Sequence, residues 1–232
     1  MKANIIDPRL LAVAELVRPG SVIADIGADH GHLICYLVGE GISPRGFACD
    51  INAGPLDACA QTVARHGLED KITLYRTDGL KGLPLEEIDD IIIAGMGGEL
   101  IAKILLEAPA AREQRLGFIL QPMTKAGRLR SSLYRMGYAL EREVAVGAGG
   151  NLYTVMRAIF TGQCVKVDET FALVGLLSKE GTSESRELLA QTIARLRKAA
   201  QGLAQSQTSH GKEKSARYNR LADEIEKKVT GL

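Results

Sequence analysis

Residues 21 to 31 read Ser21-Val-Ile-Ala-Asp25-Ile-Gly27-Ala-Asp29-His30-Gly31, and this stretch decides the fold. A short apolar run ends in an acid, then a glycine turn, two further polar groups and a second glycine. That order describes a buried strand delivering a carboxylate and bare backbone to the mouth of a sheet. The segment that follows, His32-Leu-Ile-Cys-Tyr-Leu-Val, opens a helix.

Outward from this point, strand-like and helix-like segments alternate. Strands are predicted at 21–27, 45–50, 72–77, 89–95 and 117–121, with helices at 31–40, 55–66, 98–107 and 125–136. A short helix over 9–17 precedes them and stops at Pro19-Gly20. Alternation of this kind builds a doubly wound parallel sheet through right-handed crossovers. After Gly137 the pattern changes to two successive strands, 138–146 and 152–160, joined by Gly147-Ala-Gly-Gly150. With no helix between them they form an antiparallel hairpin at one sheet edge. Five parallel strands and a terminal hairpin make an α/β sheet of seven strands, mostly parallel. This is the Rossmann-like layout of class I methyltransferases, whereas a dinucleotide-binding sheet would add a sixth parallel strand.

From about residue 165 the composition shifts. A short helix is predicted within 168–179, then a long helical pattern over 183–205 with Ser183 as N-cap, a break over 206–211, and a second long helix over 212–229. Ile193, Leu196, Ala200 and Leu203 on one helix, and Tyr218, Leu221, Ile225 and Val229 on the other, give a narrow apolar seam. The two helices form a small antiparallel coiled-coil appendage. The expected division is therefore 1–164 for the sheet domain and 165–232 for the helical one.

The 232 residues are 46% hydrophobic and 25% charged, which indicates a globular protein, and the net charge of +1 gives no global argument for a polyanionic partner. Cys35, Cys49, Cys59 and Cys164 form no CxxC pair and have no histidine at zinc spacing, so reduced thiols and no metal are expected. No run approaches the ~20 apolar residues of a membrane helix, and the N-terminus lacks a targeting pattern. A cytoplasmic location is the expectation.

In open α/β sheets ligands sit at the carboxyl ends of the strands. The first end carries Asp25, Gly27, Asp29, His30 and Gly31. The second carries Asp50, Ile51 and Asn52, the third Asp78-Gly79, and the fourth Ala94, Gly95, Met96, Gly97 and Gly98. Two cofactors compete for this constellation. NAD requires G-x-G-x-x-G facing a pyrophosphate. Here the spacing is Gly27-x-x-x-Gly31, and Asp25 and Asp29 beside the turn would repel a pyrophosphate. The same acids suit the sulfonium and ammonium groups of S-adenosylmethionine. Asp50 then accepts both ribose hydroxyls, and Asp78 accepts from the adenine amino group.

The runs Ile23-Ala-Asp-Ile-Gly-Ala-Asp-His30, Asp78-Gly-Leu80, Ile93-Ala-Gly-Met-Gly-Gly98 and Leu120-Gln-Pro122 resemble the TrmK family of bacterial tRNA (adenine(22)-N(1))-methyltransferases. The chain departs from the family in having Met123-Thr124 after Leu-Gln-Pro and Gly31-His-Leu-Ile34 after the Asp-His pair. The resemblance implies a class I fold, S-adenosylmethionine as methyl donor, and N1 of an adenine in the tRNA D-arm as acceptor. A ring nitrogen needs no base to become a nucleophile, so alignment does much of the work. Asp29 is the candidate catalytic carboxylate, stabilising the cation that forms on the base. Met96, Gly97, Gly98, Gln121 and Pro122 are expected to border the base.

The N1 edge is exposed only when the base leaves its stack, and phosphate contacts would supply that energy. Between residues 186 and 228 there are ten basic and five acidic residues. From these Arg195, Lys198, Lys212 and Arg217, with Lys125 and Arg128 after the fifth strand, are the candidate tRNA contacts. Two other readings stay open: a methyltransferase for a small molecule or protein, with an incidental basic hairpin, and a catalytically silent RNA-binding protein. A monomer is expected, although a helical hairpin can also pair between chains.

Overall fold

A computed structural model describes residues 6–113, 115–205 and 208–230. The N-terminal stretch read for targeting thus begins outside the described residues. Strands β1 (Ile23–Ile26), β2 (Gly46–Asp50), β3 (Ile72–Arg76), β4 (Asp90–Gly97) and β5 (Gly117–Thr124) are parallel, and β6 (Tyr138–Ala148) and β7 (Asn151–Phe160) form the terminal hairpin. Their order is β3-β2-β1-β4-β5-β7-β6, so the direction of winding reverses between β1 and β4. β7 lies antiparallel to β5. The seven-stranded, mostly parallel sheet is the one expected from the alternation.

Both faces of the sheet are covered, as the Val/Ile-rich strands require. One face presents Ile23, Ala48, Ile92 and Ile119 to α1 (Pro8–Ala14), α2 (His32–Gly39) and α3 (Ala53–His66). The other presents Ala24, Ile91, Ile93, Phe118 and Leu120 to α4 (Gly98–Leu106) and α5 (Ala126–Arg135). The hairpin turn is tighter than the predicted four residues, with only Gly149 and Gly150 between β6 and β7. Both have positive φ, which suits the twist of a two-residue hairpin loop.

A buried acid closes the far end of the sheet. Asp90 is fully buried at the start of β4 and accepts from the Arg18 backbone N–H at 2.8 Å and the Arg18 Nε at 2.9 Å. Arg157 of β7 approaches the same carboxylate at 3.4 Å. Gly117 stands in their way: a Cβ there would lie 2.1 Å from Asp90 Oδ1 and 2.7 Å from Arg157 Nη2.

A second buried pair carries the C-terminal part. Arg130 of α5 donates from Nε and Nη2 to Glu143 Oε1 of β6 at 2.9 and 2.8 Å, and both side chains are almost wholly buried. Thr154 Oγ1 donates to the same oxygen at 2.8 Å, and Glu143 Oε2 accepts the Leu176 N–H at 2.8 Å. Arg130 Nη1 donates to the carbonyls of Ala172 and Leu173 at 2.8 and 2.9 Å. These bonds tie α6 (Glu169–Val174) and its exit to the sheet. Gly175 leaves α6 at φ +57°, where a Cβ would lie 2.0 Å from Glu143 Oε2.

Beyond it, α7 (Ser183–Ala204) and α8 (Ser209–Thr230) pair as the expected helical hairpin, with Leu189, Leu196, Leu221, Ala222 and Ile225 at the seam. The N-cap of α7 is Thr182 rather than Ser183: the Thr182 hydroxyl accepts the Ser185 N–H at 3.1 Å. Ser183 instead donates to Glu184 at 2.7 Å. Of the predicted break, residues 206 and 207 lie outside the described residues, and α8 begins at Ser209 rather than Lys212. No helix among the described residues is long and apolar enough to cross a membrane.

Removing one member of the Arg130–Glu143 pair leaves the other buried and uncompensated. Glu143→Ala should cost about 3–5 kcal/mol in urea unfolding, whereas the double substitution Arg130→Met with Glu143→Leu should cost less than that single change. A double variant at least as unstable as Glu143→Ala would rule out the pair as the source of the loss.

Candidate active site

The crevice opens where winding reverses, at the carboxyl ends of the parallel strands. β1 ends in Asp25-Ile26 and passes into a turn in which Gly27 has φ +77°, Asp29 φ +50° and Gly31 φ +71°. A Cβ on Gly27 would lie 2.4 Å from the Met96 methyl, so the first and fourth strand ends touch only because residue 27 is bare. Asp29 is a non-glycine residue in the left-handed region, a cost that proteins tend to keep at functional sites.

The two acids of the turn have different surroundings. Asp25 is 4% exposed, and no donor among the described residues bonds its carboxylate. Burial pushes its pKa up to about 7. Asp29 is open to solvent, with its side chain 71% exposed and His30 Nε2 at 3.7 Å from Oδ1. His30 and His32 stack with ring centroids 5.8 Å apart. Beneath the turn lie buried Cys35 and Cys59, whose thiols are raised by burial to about 11 and about 12, so they stay protonated. A Cβ on Gly31 would lie 2.4 Å from Cys59 Sγ, which makes Gly31 also a packing position for α2 on α3.

The remaining strand ends line up as the sequence suggests. Asp50 closes β2 and accepts the Asn52 N–H at 2.9 Å, and between them Ile51 is 55% exposed. An apolar side chain held open in a polar cleft is a ready face for a flat base. Asp78 is paired with Lys81 at 2.5 Å, which lowers its pKa, so this acid enters any contact already partnered.

β4 carries a feature that the spacing did not predict. The β4–β5 register shifts on both sides of Met96, and Gly95 takes φ +78°. The bulge frees the Gly95 N–H from the ladder, and Gln121 Oε1 accepts it at 3.0 Å. Arg9 Nη1, arriving from α1, donates to the same oxygen at 2.7 Å. Gln121 Nε2 donates to the Pro122 carbonyl at 3.1 Å.

Three expected base contacts are therefore corrected. Gln121 is fully buried with both ends of its amide engaged, so it holds Gly95 and Arg9 rather than facing a base. Gly98 is buried too: a Cβ would lie 2.8 Å from the Lys125 carbonyl, so its bareness lets α4 start against the β5–α5 turn. Arg9 was missed because its proximity to residue 121 is a property of the fold alone. Met96 and Gly97 are half-buried at the rim, with Met123 beside them at 40% exposure, while Pro122 is buried at the end of β5 and meets only the floor of the neighbouring groove.

A groove of about 1230 Å³ runs from Pro122, Met123 and Lys125 to the helical hairpin, where Arg195 and Arg217 line it. Several of its cations are paired on the surface: Lys125 and Arg128 both with Glu99, and Arg217 with Glu169. Lys198 and Lys212 are exposed but lie outside this lining. Among the described residues no three His, Cys, Asp or Glu side chains gather in a metal-holding group.

The strand order, the reversal crevice and the acid-tipped strand ends define a class I methyltransferase domain, and residues 6–156 match the family model described as "Methyltransferase domain". A Bacillus subtilis tRNA (adenine(22)-N(1))-methyltransferase is 39% identical over 150 residues, 65% of this chain and 63% of that protein. The match thus spans just under two thirds of that relative. The crystal structure of the B. subtilis M1A22 tRNA methyltransferase TrmK superposes with a TM-score of 0.85 at 30% identity, covering 97% of this chain and 99% of that one. Streptococcus pneumoniae Sp1610 in complex with S-adenosyl-L-methionine superposes with a TM-score of 0.82 at 27% identity, covering 95% and 99%. The chain belongs to the TrmK family.

Asp25 gives the fold a pH dependence. Its folded pKa, about 7, lies above its ordinary 3.8, so the folded state keeps a proton that the unfolded chain loses between these values. Stability should therefore fall as pH rises from about 4 to about 7 and level off above, by at most roughly 4 kcal/mol from this group. Asp25→Asn should remove that slope and melt higher than the parent at pH 8. Parallel thermal melts from pH 4 to 8 with an unchanged slope in the variant would exclude Asp25 as its source.

Proposed function

We propose that this chain methylates N1 of an adenine in the D-arm of tRNA, position 22 as in the names of its relatives, using S-adenosylmethionine. The observation that carries the reading is the near full-length correspondence with a tRNA methyltransferase of that specificity, helical hairpin included. A domain shared only for its donor would need no such appendage.

The crevice fits the donor on its own chemistry. A buried carboxylate without a bonded donor is costly unless a cation completes it, and Asp25 is such a group. When bound, S-adenosylmethionine supplies a methyl group on a positively charged sulfur. Asp25 meets its ammonium, Asp50 the ribose hydroxyls, and Asp78 with Gly79 the adenine edge. Ile51 packs on the adenine face, and Asn52 closes the ribose side. Gly27, Ala94 and Gly95 leave backbone close to the sulfur, and His30 and Gly31 complete the turn. The residues of the chain thus hold the donor by charge at one end and by an apolar face at the other.

On the acceptor side, Met96 and Gly97 border the incoming base. Its N1 lone pair is in the ring plane, so orientation rather than deprotonation sets the rate. Methylation leaves a positive charge shared by N1 and the exocyclic amine. Asp29, whose side chain is exposed, stabilises that charge once RNA excludes water from the turn.

The groove holds the RNA. Arg195 and Arg217 on the hairpin and Lys125 and Arg128 at the start of α5 bind phosphates, with Lys198 and Lys212 flanking. The ion pairs of Lys125 and Arg128 with Glu99 and of Arg217 with Glu169 lie on the surface, where solvent screens them, so exchange of carboxylate for phosphate is easy. Residues 1–164 then form the donor-binding unit and 165–232 the RNA-holding unit. The protein acts as a cytoplasmic monomer without a metal.

Incubation with labelled donor and unmodified tRNA, followed by nucleoside mass spectrometry, should give 1-methyladenosine in the D-arm. Another modified nucleoside, or transfer to non-RNA acceptors alone, would defeat the reading. In the same assay Asp29→Asn and Asp29→Ala should each lower kcat by about 10²-fold while donor affinity measured by calorimetry stays within about twofold. Near-normal turnover in both variants would remove Asp29 from the mechanism.

A further inference from the structure

The sheet divides at its ligand end. β7 pairs with β5 only as far as Leu120 opposite Met156, whereas β5 stays on β4 to Thr124 and β7 stays on β6 to Asn151. Pro122, which has no N–H to offer a ladder, stands just past the last rung. The sheet therefore forks, with Pro122, Met123 and Thr124 on one arm and Leu152, Tyr153 and Thr154 on the other, and both arms line the groove described above. Resting on the functional reading above, we propose that this fork seats the target adenine, with Tyr153 and Met123 as the side chains against which its ring lies.

The two side chains share the donor's side of the sheet. Strand neighbours alternate faces. Ile119 and Val155 pack in the layer that holds α1, so Met123 and Tyr153, at even spacing from them, point to that side. Met123 Sδ lies 3.8 Å from Nε2 of Gln121, which belongs to it as well. Tyr153 stands opposite Val146, which packs in the same layer. Thr154 turns the other way and spends its hydroxyl on Glu143. At the end of β4, Ala94 packs in the layer of Ile119, and Met96 stands beside Pro122. A base that passes Met96 from the donor's side meets the fork next, one strand further along the sheet.

The lining is matched to a nucleobase. None of the arm residues carries a charge, so a phosphate or an ammonium would be desolvated there without a partner. A tyrosine ring and a thioether offer flat, polarizable surface, the kind of contact that holds a base removed from its stack. Met123 is exposed and Tyr153 half-buried, so both are within a ligand's reach. Lys125 follows the β5 arm directly, and Arg128 lies one turn later in α5. Cations at the mouth of an uncharged fork suit a nucleotide whose base goes in and whose phosphate stays out.

The test is a thermodynamic cycle on the full-length protein. Binding of the parent, Tyr153→Ala and Tyr153→Phe is measured to two ligated tRNAs, one intact and one abasic at the nucleotide that the parent methylates. Whatever the abasic site does to the tRNA's own stacking is common to all three proteins. The preference for intact over abasic tRNA should fall by about tenfold from the parent to Tyr153→Ala, and by less than about twofold in Tyr153→Phe, which keeps the ring. Tyr153→Ala should also lower kcat/KM for tRNA by a similar factor, with donor affinity unchanged by calorimetry. A preference in Tyr153→Ala equal to the parent's would overturn the assignment, including where both affinities drop together through a lower melting temperature. So would a weakened donor affinity, which would put the donor's own adenine in the fork, or a loss that appears only when the abasic site is moved to a neighbouring nucleotide. If the parent methylates a nucleotide other than an adenine at N1, the functional reading fails, while the same ratio taken at that nucleotide still decides what the fork holds.

Discussion

The geometry of this molecule depends on a charge pair that never meets water. Arg130 and Glu143 join α5 to β6, and their remaining hydrogen-bonding capacity is spent on Thr154, Ala172, Leu173 and Leu176. An apolar contact of the same volume would hold the elements together as firmly. It would not fix the direction in which the chain leaves the sheet, because apolar contact is non-directional. Six directed bonds do, and through them the helical hairpin stands at one setting relative to the strand ends. The groove between the two exists because that setting is fixed.

The crevice uses the opposite device. Around Arg130 and Glu143 the buried charges are bonded on several sides, whereas at the end of β1 a carboxylate is buried with no bonded donor among the described residues. The same principle, that an unpaired buried charge is expensive, gives rigidity in one place and receptivity in the other. The turn above Asp25 then sets a second acid, Asp29, in solvent, four residues away in sequence and in a different dielectric.

How much of this was legible in the sequence follows from where the information resides. The strand ends were legible because an acid or glycine closing an apolar run is a local pattern, and the winding followed from alternation of segments. The hairpin and its seam were legible for the same reason. What sequence reading missed is tertiary. Arg9 and Gln121 are 112 residues apart, and neither carries a local sign of the other. The Gly95 bulge depends on a mismatch between two strands, not on either one, so Gln121 was read as a base contact when its amide is consumed by the bulge. Gly98 was read as bare backbone for a ligand, but what lies against it is the chain's own Lys125 carbonyl. At α7 the cap fell one residue early because Thr182 and Ser183 are chemically equivalent candidates and only backbone geometry separates them.

Gly117 shows how the far end of the sheet constrains inheritance. Its backbone is not in the left-handed region, so conformation does not demand glycine there. What excludes a side chain is the Asp90–Arg157 pair at 2.1 and 2.7 Å from the missing Cβ. Residue 117 is therefore hostage to residues 90 and 157. A substitution at 117 is open to this fold only after the acid or the arginine has been given up, so the order in which these three positions can change is set by one steric contact.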